Sequence, residues 1–212
     1  MAHFDLREYL EKLEAAGELR RIEADVDPNL EVGAITQRLA ERGGPAAHFS
    51  NVKGAGHGVS LIGGSMARGS AGLWSKVAVA LEIDHMSEYR DVLDEVVRRC
   101  ESPIRPMQVG GGACKEVTIG AKDVDLESLV PPLMHDGDGG RYLTTWAFIV
   151  VQEPDTGFVS WDVVPLMVLS KNTLTGRLPE DSNIGRIYRT KYAATGTPMP
   201  FAIVMGAVPT AT

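Results

Sequence analysis

The chain has 212 residues, 44% of them hydrophobic and 23% charged, with a formal net charge of −7. That length suffices for one large domain or two small ones with an unstapled core, and the composition is that of a globular protein. The acidic balance argues against a nucleic-acid surface, which needs a clustered basic face. No run reaches the ~18 apolar residues of a membrane span, and the first twenty residues are amphipathic and mixed in charge, unlike a secretory signal. A cytoplasmic protein is expected, with Cys100 and Cys114 as free thiols in a reducing compartment.

Asp5-Leu6-Arg7-Glu8 has the form of a capping box, Leu6, Leu10 and Leu13 recur at helical spacing, and Gly17 supplies a stop. Leu19-Arg20-Arg21-Ile22 reads as a strand closed by Asp27-Pro28. A second helix is predicted over 30–42, with Leu30, Ile35 and Leu39 facing inward. A strand pair follows over 47–52 and 59–62, then helices over 72–81 and 87–99. Ser102-Pro103-Ile104-Arg105-Pro106 reads as a hinge, since two prolines disfavour helix on either side.

Beyond the hinge the pattern changes to strands, over 115–119, 142–152, 158–169 and 201–208, with one helix over 182–194. Pro154-Asp155-Thr156-Gly157 makes the second and third of these strands a hairpin. The fold class is therefore α+β, with an α/β domain over 1–106 and a largely antiparallel β domain over 107–212. Four strands are few for a closed barrel. The strand over 142–152 is apolar on both sides, as a doubly covered strand would be, and the final strand is almost wholly apolar. Uncovered apolar strands invite pairing, so a free monomer is not expected.

Composition and spacing supply few chemical signals. Gly63-Gly64-Ser65-Met66-Ala67-Arg68-Gly69-Ser70 sits between a strand and a helix, and reads either as a structural connection or as an anion contact beside Arg68. It lacks the Lys-Ser/Thr of a phosphate-binding loop. Asp136-Gly137-Asp138-Gly139-Gly140 has too few ligands for a calcium loop and reads as a tight turn entering a strand. His3, His48, His57, His85 and His135 show no metal-ligand spacing, and no Ser/His/Asp arrangement is readable.

The opening pattern over 6–26, the 136–140 loop with Tyr142, and the hairpin over 146–172 resemble the UbiD family of reversible decarboxylases, which use prenylated flavin. The resemblance covers essentially the whole chain, although family members are about twice as long. It implies an N-terminal α/β domain followed by part of a flavin-binding split β-barrel. It also implies prenylated FMN as cofactor, with manganese or magnesium and potassium, and aromatic or α,β-unsaturated acids as substrates.

In the family's pattern a metal-binding Asn lies on the second hairpin strand, a catalytic Arg five residues on, and a metal-binding His after the next loop. Aligned on Trp161 and Lys171-Asn172, this chain has Ser160, Pro165 and Asn183 at those places. The further Glu residues of the pattern would fall beyond Thr212. The resemblance thus assigns cofactor contacts to Ser160, Trp161, Asp162, Val163, Val164, Pro165, Ser182 and Asn183, metal contacts to Ser160 and Asn183, and no catalytic residue. It is the scaffold of a decarboxylase with its charged groups replaced. Three functions are compatible with it: a short subunit of a homo- or hetero-oligomeric (de)carboxylase, with a complementary UbiD-like subunit favoured; a non-catalytic scaffold or regulatory protein that binds no flavin; and, less favoured, a flavin-binding module with a different reaction.

Overall fold

The computed structural model describes residues 5–105, 107–207 and 209–211. Pro106 of the expected hinge, Val208 of the last expected strand and His3 lie outside them.

Helix α1 (Leu6–Ala15) begins where predicted, the Asp5 carboxylate accepting from the Glu8 N–H at 2.9 Å. That satisfies one of the donors a helix start leaves unpaired. Tyr9 and Leu13, one turn apart, are fully buried. Strand β1 (Leu19–Ile22) runs parallel to β2 (Ala46–Phe49), with helix α2 (Glu31–Glu41) as the crossover, and β3 (Leu61–Gly63) returns antiparallel to β2. Alternation along the strands fills two layers. Leu19 and Ala46 pack with Tyr9, Leu13 and Val79 on one face. Ala47 and Phe49 pack with Val26 and Val32 on the other.

Helix α2 departs from expectation at its start. Leu30 has φ +72° and stands outside the helix, its N–H donating to the Leu133 carbonyl at 2.8 Å. The buried residues are Val32 and Gly33, with Ile35 and Leu39 only partly covered. Gly33 is required by close approach: a Cβ there would lie 1.9 Å from the Met134 carbonyl oxygen. The segment around Val130–Met134 is thereby seated on the first sheet, and Val130 joins its core. Helices α3 (Ser75–Ala80) and α4 (Tyr89–Cys100) complete this half.

The strand expected over 115–119 does not form. Short 3₁₀ turns occupy Ala113–Lys115, Ala121–Asp123 and Leu126–Leu129, and Val117 and Ile119 are exposed. β-propensity without an adjacent strand to pair with does not make a strand.

In the second half, β4 (Ala147–Gln152) lies between β5 (Val159–Val163) and β8 (Ala202–Met205), all antiparallel, while β6 (Met167–Ser170) and β7 (Thr173–Thr175) form a separate hairpin. The strand predicted over 158–169 is thus two strands, broken at Pro165, which lacks the N–H a ladder needs. Thr144, fully buried, bridges the break: its hydroxyl donates to the Val164 carbonyl at 2.7 Å and accepts from the Leu166 N–H at 2.7 Å. Strand β7 lies in a stretch whose polarity hid it from sequence reading.

Helix α5 (Asn183–Ile187) is capped by Ser182, whose hydroxyl accepts from the Gly185 N–H at 3.1 Å and donates to the Pro179 carbonyl at 2.8 Å. The predicted helix over 182–194 then continues as a π turn, Tyr188–Tyr192, and a 3₁₀ turn, Ala193–Thr195. Ile184 and Ile187 pack against Ile149, Val151, Val164 and Leu166. One face of the β5–β4–β8 sheet is covered in this way. Among the described residues the sheets stay open and close no barrel. The total accessible surface is 13616 Å², against about 9,600 Å² for a compact monomer of this mass.

Candidate functional site

The residues assigned by resemblance fall on β5, the bend after it, and the start of α5. Pairing along the hairpin sets Ile149 opposite Asp162 and Val151 opposite Ser160, so both polar side chains of β5 point to the face that α5 covers. Ser160 is 3% exposed, and its hydroxyl donates to Asp162 Oδ2 at 2.6 Å. Trp161 and Val163 point the other way, 55% and 43% exposed, the Trp161 ring lying 5.4 Å from that of Phe148. Val164 is in the core and Pro165 is exposed. Ser182 is spent on capping α5, and Asn183, its first residue, is exposed.

The fold therefore brings Ser160 and Asp162 together and sets α5 against β5. No hydrogen bond joins Ser160 to Asn183 among the described residues, and Trp161 and Val163 belong to the opposite face. Sequence reasoning named Asp162 only as a cofactor contact. Its partnership with Ser160 was readable from their i, i+2 spacing on a strand, which puts both on one face.

These residues do not make a divalent-metal site by themselves. Manganese and magnesium take several oxygens, charged ones preferred, and here one carboxylate, already bonded to a hydroxyl, is the only charged donor. No group of three or more His, Cys, Asp or Glu residues able to hold a metal occurs among the described residues. The Trp161 face offers an exposed apolar wall. Calorimetric titration of the chain alone with manganese is expected to show no binding tighter than millimolar; a micromolar isotherm would contradict this.

Two polar clusters outside this region were not legible in the sequence. Glu18, fully buried, accepts from the Ser70 N–H at 2.8 Å, the Ala71 N–H at 2.8 Å and the Ser75 hydroxyl at 2.7 Å. Burial alone would raise its pKa. The bonds from Ala71, Ser75 and Ser70 outweigh that and hold it below the usual carboxylate range. The end of the 63–70 loop is therefore tied to the chain's own carboxylate through the N–H groups of Ser70 and the following Ala71. Gly69 is obligatory there, because a Cβ would meet Ser75 Oγ at 2.0 Å. Buried Lys76 donates to the Gly64 carbonyl at 3.0 Å, its pKa lowered by burial against the pull of Glu18.

The second cluster sets His48 Nε2 at 3.0 Å from Ser60 Oγ, while His48 Nδ1 faces Arg21 at 3.3 Å. Arg21 is itself held bidentately by Glu14, at 2.8 and 2.7 Å. A guanidinium can only donate, so Nδ1 accepts and Nε2 carries the proton toward Ser60. His48 is then a donor to the serine, the wrong tautomer for a base, and burial together with Arg21 lowers its pKa. At the 136–140 turn, the His135 N–H donates to Asp138 Oδ2 at 3.0 Å, so that carboxylate closes its own turn.

Comparison with known proteins adds the lineage. Residues 10–96 match the 3-octaprenyl-4-hydroxybenzoate carboxy-lyase N-terminal domain, and 106–212 the Rift-related domain of the same enzymes. The pyrrole-2-carboxylic acid decarboxylase of Pseudomonas aeruginosa is 36% identical over 98% of this chain and 42% of its own length. The vanillic acid decarboxylase of Sedimentibacter hydroxybenzoicus, in closed form, superposes with a TM-score of 0.88 at 26% identity, over 99% of this chain and 44% of that one. The UbiD-class enzyme HmfF of Pelotomaculum thermopropionicum, in complex with prFMN, gives 0.80 at 26% identity, over 97% and 45%. The chain spans less than half the length of these relatives.

Proposed function

This chain belongs to the UbiD family of 3-octaprenyl-4-hydroxybenzoate carboxy-lyases, and we propose on that footing that it is a short subunit of a hetero-oligomeric, reversible (de)carboxylase. Its substrates are aromatic or α,β-unsaturated carboxylic acids. The assembled enzyme uses prenylated FMN with manganese or magnesium and potassium, and works in the cytoplasm. The flavin supplies the electron-accepting chemistry when bound. This chain supplies scaffold: β5 and the start of α5 hold Ser160, Asp162 and Asn183 beside one another's elements, and Trp161 walls the opposite face. The observation that supports the reading is the retention of the UbiD architecture, at a TM-score of 0.88 over 99% of the chain.

The Ser160–Asp162 hydrogen bond, closed on itself at 2.6 Å, favours a second reading, a scaffold or regulatory protein that binds no flavin. Absorbance of the purified oligomer separates the two. The subunit reading expects a flavin band when the chain is co-produced with a complementary UbiD-type polypeptide in cells that make prenylated FMN. A colourless, stoichiometric complex would leave the scaffold reading standing and remove the first.

A further inference from the structure

We propose that the cavity between the loop ends of the first sheet and strand β6 binds a small zwitterion of the α-amino-acid class, its carboxylate on Arg141 and its ammonium on Glu127. None of the residues assigned by resemblance lines this cavity, so the proposal stands or falls apart from the decarboxylase reading.

The cavity measures about 560 Å³, within the range of small-molecule sites. Its walls are this chain's own and are tied to each other. The Leu30 N–H donates to the Leu133 carbonyl at 2.8 Å, and the Leu133 N–H donates to the Pro28 carbonyl at 3.0 Å. On the other side the Val168 N–H donates to the Arg141 carbonyl at 2.9 Å. The shape is therefore set before a ligand arrives, which lowers the ordering cost of binding.

Four charged side chains line it: Asp27, Lys53, Glu127 and Arg141. Asp27 is engaged by its neighbours, with Oδ1 accepting from the Asn29 N–H at 2.8 Å and Oδ2 facing Lys53 Nζ at 3.9 Å. Glu127 and Arg141 differ. Among the described residues neither forms an ion pair. The guanidinium has one long bond, to the Pro131 carbonyl at 3.4 Å, and the Glu127 carboxylate accepts none. A cation and an anion thus face one cavity without meeting each other. A lone anion would meet two carboxylates there, and a lone cation two basic groups. A molecule carrying both charges serves both. Arg141 can take a carboxylate through its fork of donors, and an ammonium offers Glu127 up to three. Val130, Pro131 and Val168 add apolar wall, which suits an apolar side chain on the ligand.

The backbone at Val130 is a second observation. Its φ of +50° is strained for a β-branched residue, and such strain clusters where ligands are held. The Val130 N–H donates to the Glu127 carbonyl at 2.9 Å, closing the 3₁₀ turn that carries Glu127 to the cavity.

The test titrates the full 212-residue chain with L-leucine by calorimetry. Saturable binding at millimolar affinity or tighter is expected. N-acetyl-L-leucine and L-leucinamide, each lacking one of the two charges, should bind at least ~10-fold more weakly, the worth of a charge-assisted hydrogen bond. Amide exchange should slow at 127–130. Glu127→Gln should weaken L-leucine at least ~10-fold and leave N-acetyl-L-leucine unchanged, whereas Arg141→Gln should weaken L-leucine and leave L-leucinamide unchanged. Both side chains are exposed, and a folding defect would not produce that crossed pattern. A flat titration, equal affinity for the three compounds, or variants that weaken all three alike would each overturn the proposal. So would binding of N-acetyl-L-leucine as tight as that of L-leucine, which would make this a plain carboxylate site.

Discussion

Replacing Glu18 by alanine is expected to lower the free energy of unfolding by about 3–5 kcal/mol, the usual cost of breaking a buried charged network by removing one partner. The carboxylate is fully buried and is the acceptor for Ser70, Ala71 and Ser75. Without it two backbone N–H groups lose their acceptor at a part-buried site, and the buried Lys76 loses its nearby opposite charge. Glu18→Gln keeps one acceptor oxygen and should cost less, about 1–3 kcal/mol, the penalty for leaving a buried donor unmatched. Both values are read as a fall in the denaturant midpoint at constant slope. The sign of the pH dependence follows from the lowered pKa of Glu18. Its stabilisation is complete above the unfolded-state carboxyl value and is lost as pH falls through the lower, folded value. The alanine variant should therefore lose less stability on acidification than the parent. An unchanged midpoint would mean that the 63–70 loop holds itself without the carboxylate.

The second large effect is on rate. The chain alone, supplied with prenylated flavin and manganese, should decarboxylate pyrrole-2-carboxylate, vanillate or ferulate no faster than buffer. By the resemblance, Pro165 stands where the family has an arginine that would orient the substrate carboxylate, and proline has no charge to offer. A single charge-stabilising donor is worth ~10²–10³ in rate, and the metal-binding positions have lost their usual ligands as well. Product accumulating at enzyme-like rates, followed by chromatography on the pure chain, would refute the assignment of Pro165 and its neighbours.

Much of the fold was legible because its local signals agree with its tertiary packing. The Asp5 cap, the strand at Leu19–Ile22 and the hairpin around 153–158 follow from side-chain chemistry within a few residues, and no distant contact overrides them. The 115–119 segment has the same local look and fails, because a strand needs a neighbour and among the described residues none pairs with it. Leu30 was misplaced for a related reason: a bond to Leu133, a hundred residues on, pulls it out of the helix that periodicity assigned to it. At the candidate site, alternation was enough to divide β5 into its two faces. The Glu18 network and the Ser60–His48–Arg21–Glu14 chain were invisible, since each is assembled from residues far apart in sequence whose types are unremarkable singly.

The Thr144 hydroxyl, which closes the hydrogen bonds on either side of Pro165, bears on how this lineage changes over time. The backbone on either side of the bend is secured by residue 144, so those two bonds do not depend on the side chain at 165. The side chain there meets solvent, and the φ that proline fixes is one that arginine adopts readily. Proline codons (CCN) differ from the CGN codons of arginine by a single nucleotide. By the resemblance the family carries an arginine here, and the exchange falls at a bend whose hydrogen bonds Thr144 makes. Selection for a well-folded scaffold alone would register such an exchange only weakly.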